Sequence, residues 1–516
     1  MNTKRLILPV LLTAALSACG GGGSRSSADT GLSQITRNSA NLCAPENPRA
    51  RDDAGNLLAG YRAGSRQDEQ AFVRQYLNDK YLWYTELQPV NGDAPQFSLR
   101  PSYDEGMKTY FRSLLTPAKT ASGRNKDRFS FALSTAEWKA SSEVGVVQGY
   151  GAEFAVIRNE APRLVRVAYV LADSPAARLG LKRGDTLLTV QTGASPRIDV
   201  VNTTRLDERD ELNRVLFNPQ AGEQVSFEFA REGAGVRRVQ LAAREQKAEP
   251  VQLDKVITTE SGARVGYLSF HRFILPLEQP LVAAVQRLKD AQVMDVVVDL
   301  RYNGGGYLYQ SSQLAYMLAD PALTRNRVFE RLQYNDKRRT DTNSHDSQLH
   351  FQTVTSGTAG TGTSAGRPLP NLGLKRVYVL TGADTCSASE SLINGLRGVD
   401  VEVIQIGNTT CGKPYGFRAH DNCGMSYFPI EFVGVNAKGD NDFVDGFVPN
   451  CPATDDFSHP LGDTSEALLA TALRHQATGQ CQGVSTKGLD QASPVPQSRG
   501  PLLRHHPAFT NKFLLP

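Results

Sequence analysis

The spacing of hydrophobic positions follows three successive patterns along this chain. Between residues 61 and 142 apolar side chains recur at helical intervals, and Ser65 stands where a helix would be capped. A second helical segment begins with a capping box, Ser102 and Glu105. The apolar face of the first segment consists of Phe72, Val73, Tyr76 and Leu77. This pattern predicts a small helical N-terminal domain.

From residue 143 to 246 the pattern becomes one of short strands. The apolar runs AEFAVI, LVRVAYVL, DTLLTV and VSFEFA are separated by glycine, proline and aspartate turns. Within this region, DSPAARLGLKRGD (173–185) predicts a short helix and a glycine turn that leads into a strand. The region is therefore predicted to be a β-rich domain.

From residue 250 to 480 strands and helices alternate. ARVGYLSF, MDVVVDL, KRVYVL and VEVIQIG have the composition of buried strands, and PLVAAVQRLKDA and SESLINGLRG that of amphipathic helices. Such alternation is typical of a parallel sheet covered on both faces. The fold class predicted for the whole chain is thus multidomain α/β. The polar stretch 335–371 predicts a mobile loop near a site, and residues 482–516 predict a tail.

The first 19 residues have the features of a targeting segment. Lys4 and Arg5 precede the apolar run LILPVLLTAAL, and LSAC follows, ending at Cys19. LSAC resembles a bacterial lipobox, which implies cleavage before Cys19 and lipidation of its thiol. Residues 20–60 would then be a flexible tether. Gly20 after the cysteine favours, in this resemblance, the periplasmic face of the outer membrane. The alternative is an ordinary secretory leader cut nearby.

Composition excludes some partners and predicts disulfides. The net charge is only +4 and no long basic block occurs among the 516 residues, so nucleic acid is not an expected partner. An even number of cysteines besides Cys19 in an exported chain indicates disulfides. Zinc is disfavoured because no CxxC pair occurs. The six are Cys43, Cys386, Cys411, Cys423, Cys451 and Cys481.

The segment TGADTCSASESLINGLRG (381–398) places small residues between a strand and a helix. A side chain there is exposed beside the first helical amides and the positive end of the helix dipole, which could stabilise an oxyanion. Ser387 is the best-placed nucleophile, because Ala388 leaves room for a carbonyl and supplies a free N–H. Ser389 is the second candidate, or a helix cap. Cys386 would more readily oxidise than act as a nucleophile.

A serine nucleophile needs a base, and no histidine lies in a recognisable serine-hydrolase motif. Lys413, in GNTTCGKPYG, follows the next strand on the same side of the predicted sheet. A lysine in a partly desolvated turn has a lowered pKa and can accept the serine proton. Spacing alone would equally allow a solvated loop lysine.

Three motifs in order give the chain a family resemblance. DLRYNGGG (299–306), SASE (387–390) and CGKP (411–414) resemble the motifs of the C-terminal processing proteases of peptidase family S41. The resemblance implies a crotonase-like ββα spiral, Ser387 as nucleophile and Lys413 as general base. It places the oxyanion donors at Ala388 and a glycine of 304–306, with Gly305 preferred. No cofactor and no metal are implied.

The chain departs from the family pattern beside the lysine. Pro414 replaces a glycine, and Phe417 stands where family members often have a glutamine that orients the lysine. The candidates for an orienting group are Asn408, Thr409 and Thr410. Because Cys386 and Cys411 flank the two proposed catalytic residues, we hypothesise a disulfide between them. A local Cys411 to Cys423 pair is equally simple.

The β-rich region resembles the PDZ domains of secreted proteases through DSPAARLGLKRGD. A PDZ domain binds the C-terminus of a peptide as an added strand, and its backbone amides hold the terminal carboxylate. The implied carboxylate loop is Gly149, Tyr150, Gly151 and Ala152; the alternative is a glycine-rich strand entrance.

The function predicted from these motifs is that of an exported, lipid-anchored serine endopeptidase with polypeptide substrates and a Ser/Lys dyad. One alternative is a noncatalytic peptide-binding scaffold on the same fold. Another is a Ser/His hydrolase that uses His271 in SFHRF, although a histidine packed at the end of a strand is favoured for that residue. The oligomeric state is left open.

Overall fold

The computed structural model describes residues 32–97, 102–247, 249–481 and 512–513. None of the helices in these ranges is long and apolar enough to span a membrane. The helices are α1 Gln34–Ser39, α2 Arg66–Lys80, α3 Tyr103–Leu114, α4 Thr135–Lys139, α5 Pro175–Arg178, α6 Leu206–Phe217, α7 Glu278–Asp290, α8 Leu308–Leu318, α9 Pro321–Thr324, α10 Arg339–Thr342, α11 Ala388–Gly398 and α12 Ala467–Thr478.

The strands are β1 Leu42–Cys43, β2 Arg62–Ala63, β3 Phe131–Ser134, β4 Val146–Gly149, β5 Ala152–Arg158, β6 Leu164–Val170, β7 Thr186–Thr192, β8 Ile198–Asp199, β9 Gln224–Arg231, β10 Gly235–Ala242, β11 Arg244–Lys247, β12 Leu253–Thr258, β13 Arg264–Ser269, β14 Asp295–Asp299, β15 Gly306–Tyr307, β16 Val328–Tyr334, β17 Gln348–His350, β18 Arg376–Thr381, β19 Glu402–Gly407, β20 Tyr415–Gly416, β21 His420–Asn422, β22 Met425–Phe428, β23 Phe432–Val435, β24 Cys451–Pro452 and β25 Lys512–Phe513.

The N-terminal helices form as the spacing predicts. Ser65 and Asp68 cap α2 reciprocally, and the four apolar side chains of its predicted face are buried. This domain is not separate from the rest of the chain, because β3 pairs with β22 and the rings of the two regions share one core. A sheet between residues so distant in sequence fixes the helices against the C-terminal half.

The flexible tether predicted for residues 20–60 is wrong from residue 32 onwards. Residues 32–60 contain α1 and β1, β1 pairs with β2, and Cys43 forms a disulfide with Cys423. Asp79 also accepts hydrogen bonds from the Ser33 N–H and the Thr36 hydroxyl. The cross-link and these buried bonds order a stretch whose composition is loop-like. The predicted leader, Cys19 and residues 20–31 lie outside the described residues.

The β-rich region forms a PDZ-like module over residues 146–247. Its main sheet has the order β10-β9-β7-β6-β5, with β8 beside β7, so that β5 is an edge strand. α5 and the turn at Gly180 precede β7, as the sequence predicts. The pattern of strands did not reveal α6, whose buried residues Leu212, Val215 and Leu216 pack into the core of this module.

The C-terminal region is built on a six-stranded sheet of order β12-β13-β14-β18-β19-β24. Only the β12–β13 pair is antiparallel, and the other pairs are parallel. α7, α8 and α11 pack on one face and α12 packs on the other. The predicted parallel sheet with helices on both faces is thus confirmed. Because β13, β14, β18 and β19 are parallel, their carboxyl ends lie at the same edge of the sheet.

The segment 335–371 is not the structureless loop that its composition predicts. It contains α10 and β17, and β17 extends a sheet of order β17-β16-β23-β20. The buried Glu278 carboxylate accepts hydrogen bonds from Ser356 and Thr363, which fixes the glycine-rich part of the segment. Polar residues of this segment are therefore hydrogen-bond partners of a buried carboxyl group. In the predicted tail, β25 pairs in parallel with β15, and residues 482–511 and 514–516 lie outside the described ranges.

Candidate active site

Ser387 lies on a tight turn between β18 and α11. Its backbone has φ 61° and ψ −113°, a conformation that side-chain-bearing residues rarely adopt. The residue is fully buried, and its Oγ makes no hydrogen bond with any described residue. Ala388 opens the helix, and its N–H likewise donates to no described acceptor. The turn thus presents a hydroxyl and an amide that are both uncommitted.

Glu390 organises this turn, and the sequence analysis did not single it out. Its Oε2 accepts hydrogen bonds from the Ser387 N–H at 2.9 Å and the Lys413 N–H at 2.8 Å. Its Oε1 accepts from the Gly412 N–H at 2.8 Å and the Thr410 hydroxyl at 2.6 Å. Burial raises the pKa of Glu390, and these donors oppose that shift. Glu390 is the last residue of SASE, so the motif itself was the available signal.

Lys413 is brought beside the Ser387 turn by this carboxylate. Because the backbone N–H groups of both residues donate to one oxygen atom, the two turns are in direct proximity. The Lys413 side chain is fully buried, so the alternative of a solvated loop lysine is wrong. Its Nζ lies 4.4 Å from the centre of the Phe417 ring and 5.2 Å from that of Phe129. Phe417, at the position of the family's glutamine, therefore faces the amine with a ring.

Of the proposed orienting residues, Thr410 has a defined role. Its hydroxyl donates to Glu390 and accepts from the Phe447 N–H at 2.7 Å, so it holds the carboxylate rather than the amine. The Asn408 carbonyl accepts from the Thr381 hydroxyl, which joins the ends of β18 and β19. Asn408 and Thr410 thus hold in place the turn between β19 and Lys413.

A disulfide between Cys386 and Cys411 joins the nucleophile turn to the lysine turn, with Cα atoms 5.2 Å apart. The hypothesised pairing is present, and the alternative Cys411 to Cys423 pairing is wrong because Cys423 bonds Cys43. The third pair is Cys451 and Cys481. Each cysteine-containing cluster of the described residues that could hold a metal includes one of these disulfides, so no thiolate remains there as a ligand.

The glycine loop after β14 lies against the same turn. The Asn303 carbonyl accepts from the Cys386 N–H, and Asn303 Oδ1 accepts from the Ser389 hydroxyl at 2.9 Å. Ser389 therefore ties the helix to this loop, which does not favour it as a nucleophile. Gly305, the preferred oxyanion donor, gives its N–H to Asn303 Oδ1 at 2.9 Å. The Gly304 N–H donates to no described acceptor, so the geometry favours Gly304 over Gly305.

The first part of the glycine-loop motif is fixed by buried ion pairs. Arg301 contacts Asp299 at 2.9 Å and Glu466 at 2.7 Å, and it shares Asp455 with Arg183 of the PDZ-like module at 2.6 Å each. Burial of Arg301 disfavours its charge, but the neighbouring carboxylates outweigh that effect and raise its pKa. The network joins the PDZ-like module to the strand that carries the glycine loop.

A cavity of about 160 Å³ lies between the PDZ-like module and the core. The four residues of the predicted carboxylate loop line it, and the N–H groups of Tyr150 and Gly151 donate to no described acceptor. On the other side it is lined by Gly304 and Asp384, which frame the Ser387 turn. Ser387 is not among the residues that line the cavity. The cavity therefore connects a loop with free amides to the boundary of the nucleophile turn.

Comparison with known proteins agrees with this geometry. Residues 264–420, which contain both turns and the glycine loop, match the family model for peptidase family S41. This segment is a peptidase family S41 domain. A carboxy-terminal processing protease, CtpB of Bacillus subtilis strain 168, is 25% identical over 247 residues. That similarity covers 46% of this chain and 42% of the relative, so less than half of the relative's length is matched.

Solved structures are similar to this chain beyond the segment that the family model matches. A structure described as a candidate S41 protease from Bacteroides fragilis is similar over 79% of this chain and 97% of its own length, with 22% identity and a TM-score of 0.57. This likeness establishes the fold. The PDZ domain of a carboxy-terminal protease from Vibrio cholerae, solved with a peptide, is similar over 20% of this chain and 97% of its own length, with 22% identity and a TM-score of 0.16.

Proposed function

We propose that this protein is a serine endopeptidase that cleaves polypeptides through Ser387 and Lys413. The observation that carries the proposal is that one carboxylate, Glu390, accepts the backbone N–H groups of both residues inside an S41 domain. The Cys386–Cys411 disulfide supports it by joining the same turns. A nucleophile and its base must lie within reach of each other, and the shared carboxylate and the disulfide keep the two turns that carry them close together.

In the proposed reaction Ser387 Oγ attacks the carbonyl carbon of the scissile bond while Lys413 Nζ accepts its proton. The Ala388 and Gly304 N–H groups, which have no other described acceptor, stabilise the oxyanion. Lys413 is fully buried among aromatic rings, so its amine is shielded from bulk water where the proposed proton transfer takes place. The protonated amine then gives the proton to the leaving nitrogen, and water hydrolyses the ester on Ser387.

The PDZ-like module is proposed to capture the C-terminal end of the substrate. The uncommitted amides of Tyr150 and Gly151 fit a carboxylate, and the edge strand β5 can accept a peptide as a further strand. The cavity leads from this loop to the wall formed by Gly304 and Asp384. A polypeptide held at its end would thus be directed toward Ser387.

The dyad is tested by cleavage of unfolded casein by the variants Ser387→Ala and Lys413→Met. Each should lower the rate by about a thousandfold or more, because the nucleophile or its base is lost. Ser389→Ala is the matched control, since it removes a neighbouring serine hydroxyl that bonds Asn303. Undiminished cleavage by Ser387→Ala or Lys413→Met contradicts the dyad. Peptide binding without any cleavage by the unaltered protein supports the noncatalytic scaffold instead.

We also propose that the protein is exported and anchored by a lipid on Cys19, at the periplasmic face of the outer membrane. Three disulfides among the described residues support an oxidising compartment. Labelling of cells with radioactive palmitate tests the anchor. The full chain should take up the label and the Cys19→Ser variant should not, and equal labelling of the two contradicts the proposal.

A further inference from the structure

His271 lies at the edge of the sheet where the catalytic loops meet. It follows β13 by two residues, in a segment that is bonded to the glycine loop. The Phe273 N–H donates to the Gly305 carbonyl, and the Tyr307 N–H donates to the Phe273 carbonyl, both at 2.8 Å. The backbone around His271 is therefore held in register with the loop that carries the proposed oxyanion donor.

The His271 ring is buried and has no hydrogen-bond partner among the residues that the structure describes. Neither Nδ1 nor Nε2 contacts a donor or acceptor among the described residues, although the side chain is 8% exposed. The ring packs on Tyr169 of the PDZ-like module, with the centroids 3.9 Å apart. Burial lowers its pKa to about 4, so the imidazole is neutral near pH 7 and offers one donor and one acceptor. A buried polar group without a hydrogen-bond partner lowers stability, so its presence needs an explanation. Binding of a ligand to the ring nitrogens is one.

The position of the ring indicates what it binds. His271 lines the same cavity as the loop amides of Tyr150 and Gly151 on one side and Gly304 on the other. A polypeptide that ran from that loop toward Ser387 would pass this wall and would present a backbone N–H and C=O at every residue. A neutral imidazole matches such a pair of groups. In the absence of a peptide, water can hydrogen-bond the two ring nitrogens, and a bound peptide would replace that water.

We infer that His271 is a substrate-binding residue that hydrogen-bonds the backbone of the polypeptide between its captured end and the scissile bond. This inference rests on the proposed function, and it assigns a site for the middle of the substrate that neither the carboxylate loop nor the dyad supplies. It differs from the Ser/His alternative, because His271 makes no hydrogen bond to Ser387.

The inference is tested by peptide binding in a Ser387→Ala background, which prevents cleavage. Fluorescence anisotropy compares a 12-residue peptide, which extends to roughly 40 Å, with its own C-terminal two residues, which reach at most about 7 Å from the captured carboxylate. His271→Phe keeps a ring against Tyr169 and removes both hydrogen-bonding nitrogens. It should weaken binding of the long peptide about tenfold, as expected for the loss of about one hydrogen bond, and leave the short peptide unchanged. His271→Asn, which keeps a donor and an acceptor, should lose less.

Other results overturn the inference. Equal affinity of His271→Phe and the parent for the long peptide does so, and so does an equal loss for both peptides. Labelling of Ser387 by a fluorophosphonate, measured in the chain with its serine, should be unchanged by His271→Phe. Loss of that labelling in a folded variant would make His271 a base and would also overturn the inference. The proposed function fails separately if Ser387→Ala still cleaves casein.

Discussion

The Ser387 turn and the wall of the cavity differ in how far their backbone N–H groups are hydrogen-bonded within the protein. At the turn, Glu390 accepts four hydrogen bonds from backbone and hydroxyl donors, and a disulfide closes the same loops. At the cavity wall the amides of Tyr150 and Gly151, in the carboxylate loop, have no described acceptor. In the first region the backbone is fixed without a ligand, and only the Ser387 hydroxyl and the Ala388 N–H have no described partner. In the second region the loop amides themselves are the groups that a ligand would satisfy. Positioning and recognition are therefore assigned to different parts of the fold.

The Glu390→Ala variant tests this comparison with the largest expected effect, because it removes the carboxylate that fixes the Ser387 turn. Removal of the carboxylate leaves several buried donors unsatisfied, so the free energy of unfolding should fall by about 3 kcal/mol or more and casein cleavage by about a hundredfold or more. Thermal unfolding and cleavage rates measure the two effects. The exposed Glu402→Ala is the control and should change neither. A Glu390→Ala variant with the stability and activity of the parent protein would show that the turn does not depend on this carboxylate.

A second test separates stability from positioning by comparing two disulfides of similar span. Cys386–Cys411 closes a sequence separation of 25 residues and Cys451–Cys481 one of 30. Replacing either pair by alanines should lower the free energy of unfolding by about 3 kcal/mol, because the closed loops are nearly equal in length. Only loss of the first pair should lower kcat, by about tenfold, since it joins the two catalytic turns. Denaturant unfolding measures the change in stability, and steady-state kinetics measure the change in kcat. An equal kcat in the two double variants would contradict a positioning role for the Cys386–Cys411 disulfide.

The third test acts on the cavity side and should have the smallest effect. A Cβ at Gly151 would lie 2.1 Å from Ser174 Cβ on a backbone with φ +81°, so Gly151→Ala must move the loop that carries the free amides. KM for a substrate with a free C-terminus should rise about tenfold while kcat stays the same.

The control for this test is Gly233→Ala in the same module, where φ is +72° and a Cβ meets nothing within 4 Å. It carries only the backbone strain of about 1 kcal/mol and should leave KM unchanged. Steady-state kinetics distinguish the two variants. If Gly151→Ala kept the KM of the parent, the loop would not bind the substrate end.

Local sequence determined the elements and their order. Apolar spacing and caps predict α2, α7 and the strands of the parallel sheet because these signals act within a few residues. The motif SASE marks the nucleophile turn for the same reason, since a strand, small residues and a helix start are contiguous. The loop-like composition of residues 32–60 misled the prediction, because the disulfide to Cys423 and the bonds to Asp79 come from distant parts of the chain.

Contacts between distant residues were decided only by the tertiary structure. In the sequence, Glu390 is an ordinary residue near the start of a helix. Its carboxylate joins the Ser387 and Lys413 turns only because β18 and β19 pair side by side and bring Lys413 close to it. The choice of Gly304 over Gly305 depends on the direction of one amide toward Asn303. The cavity depends on the packing of the PDZ-like module against the core. Sequence determines local propensity, but hydrogen bonds and burial depend on three-dimensional neighbours.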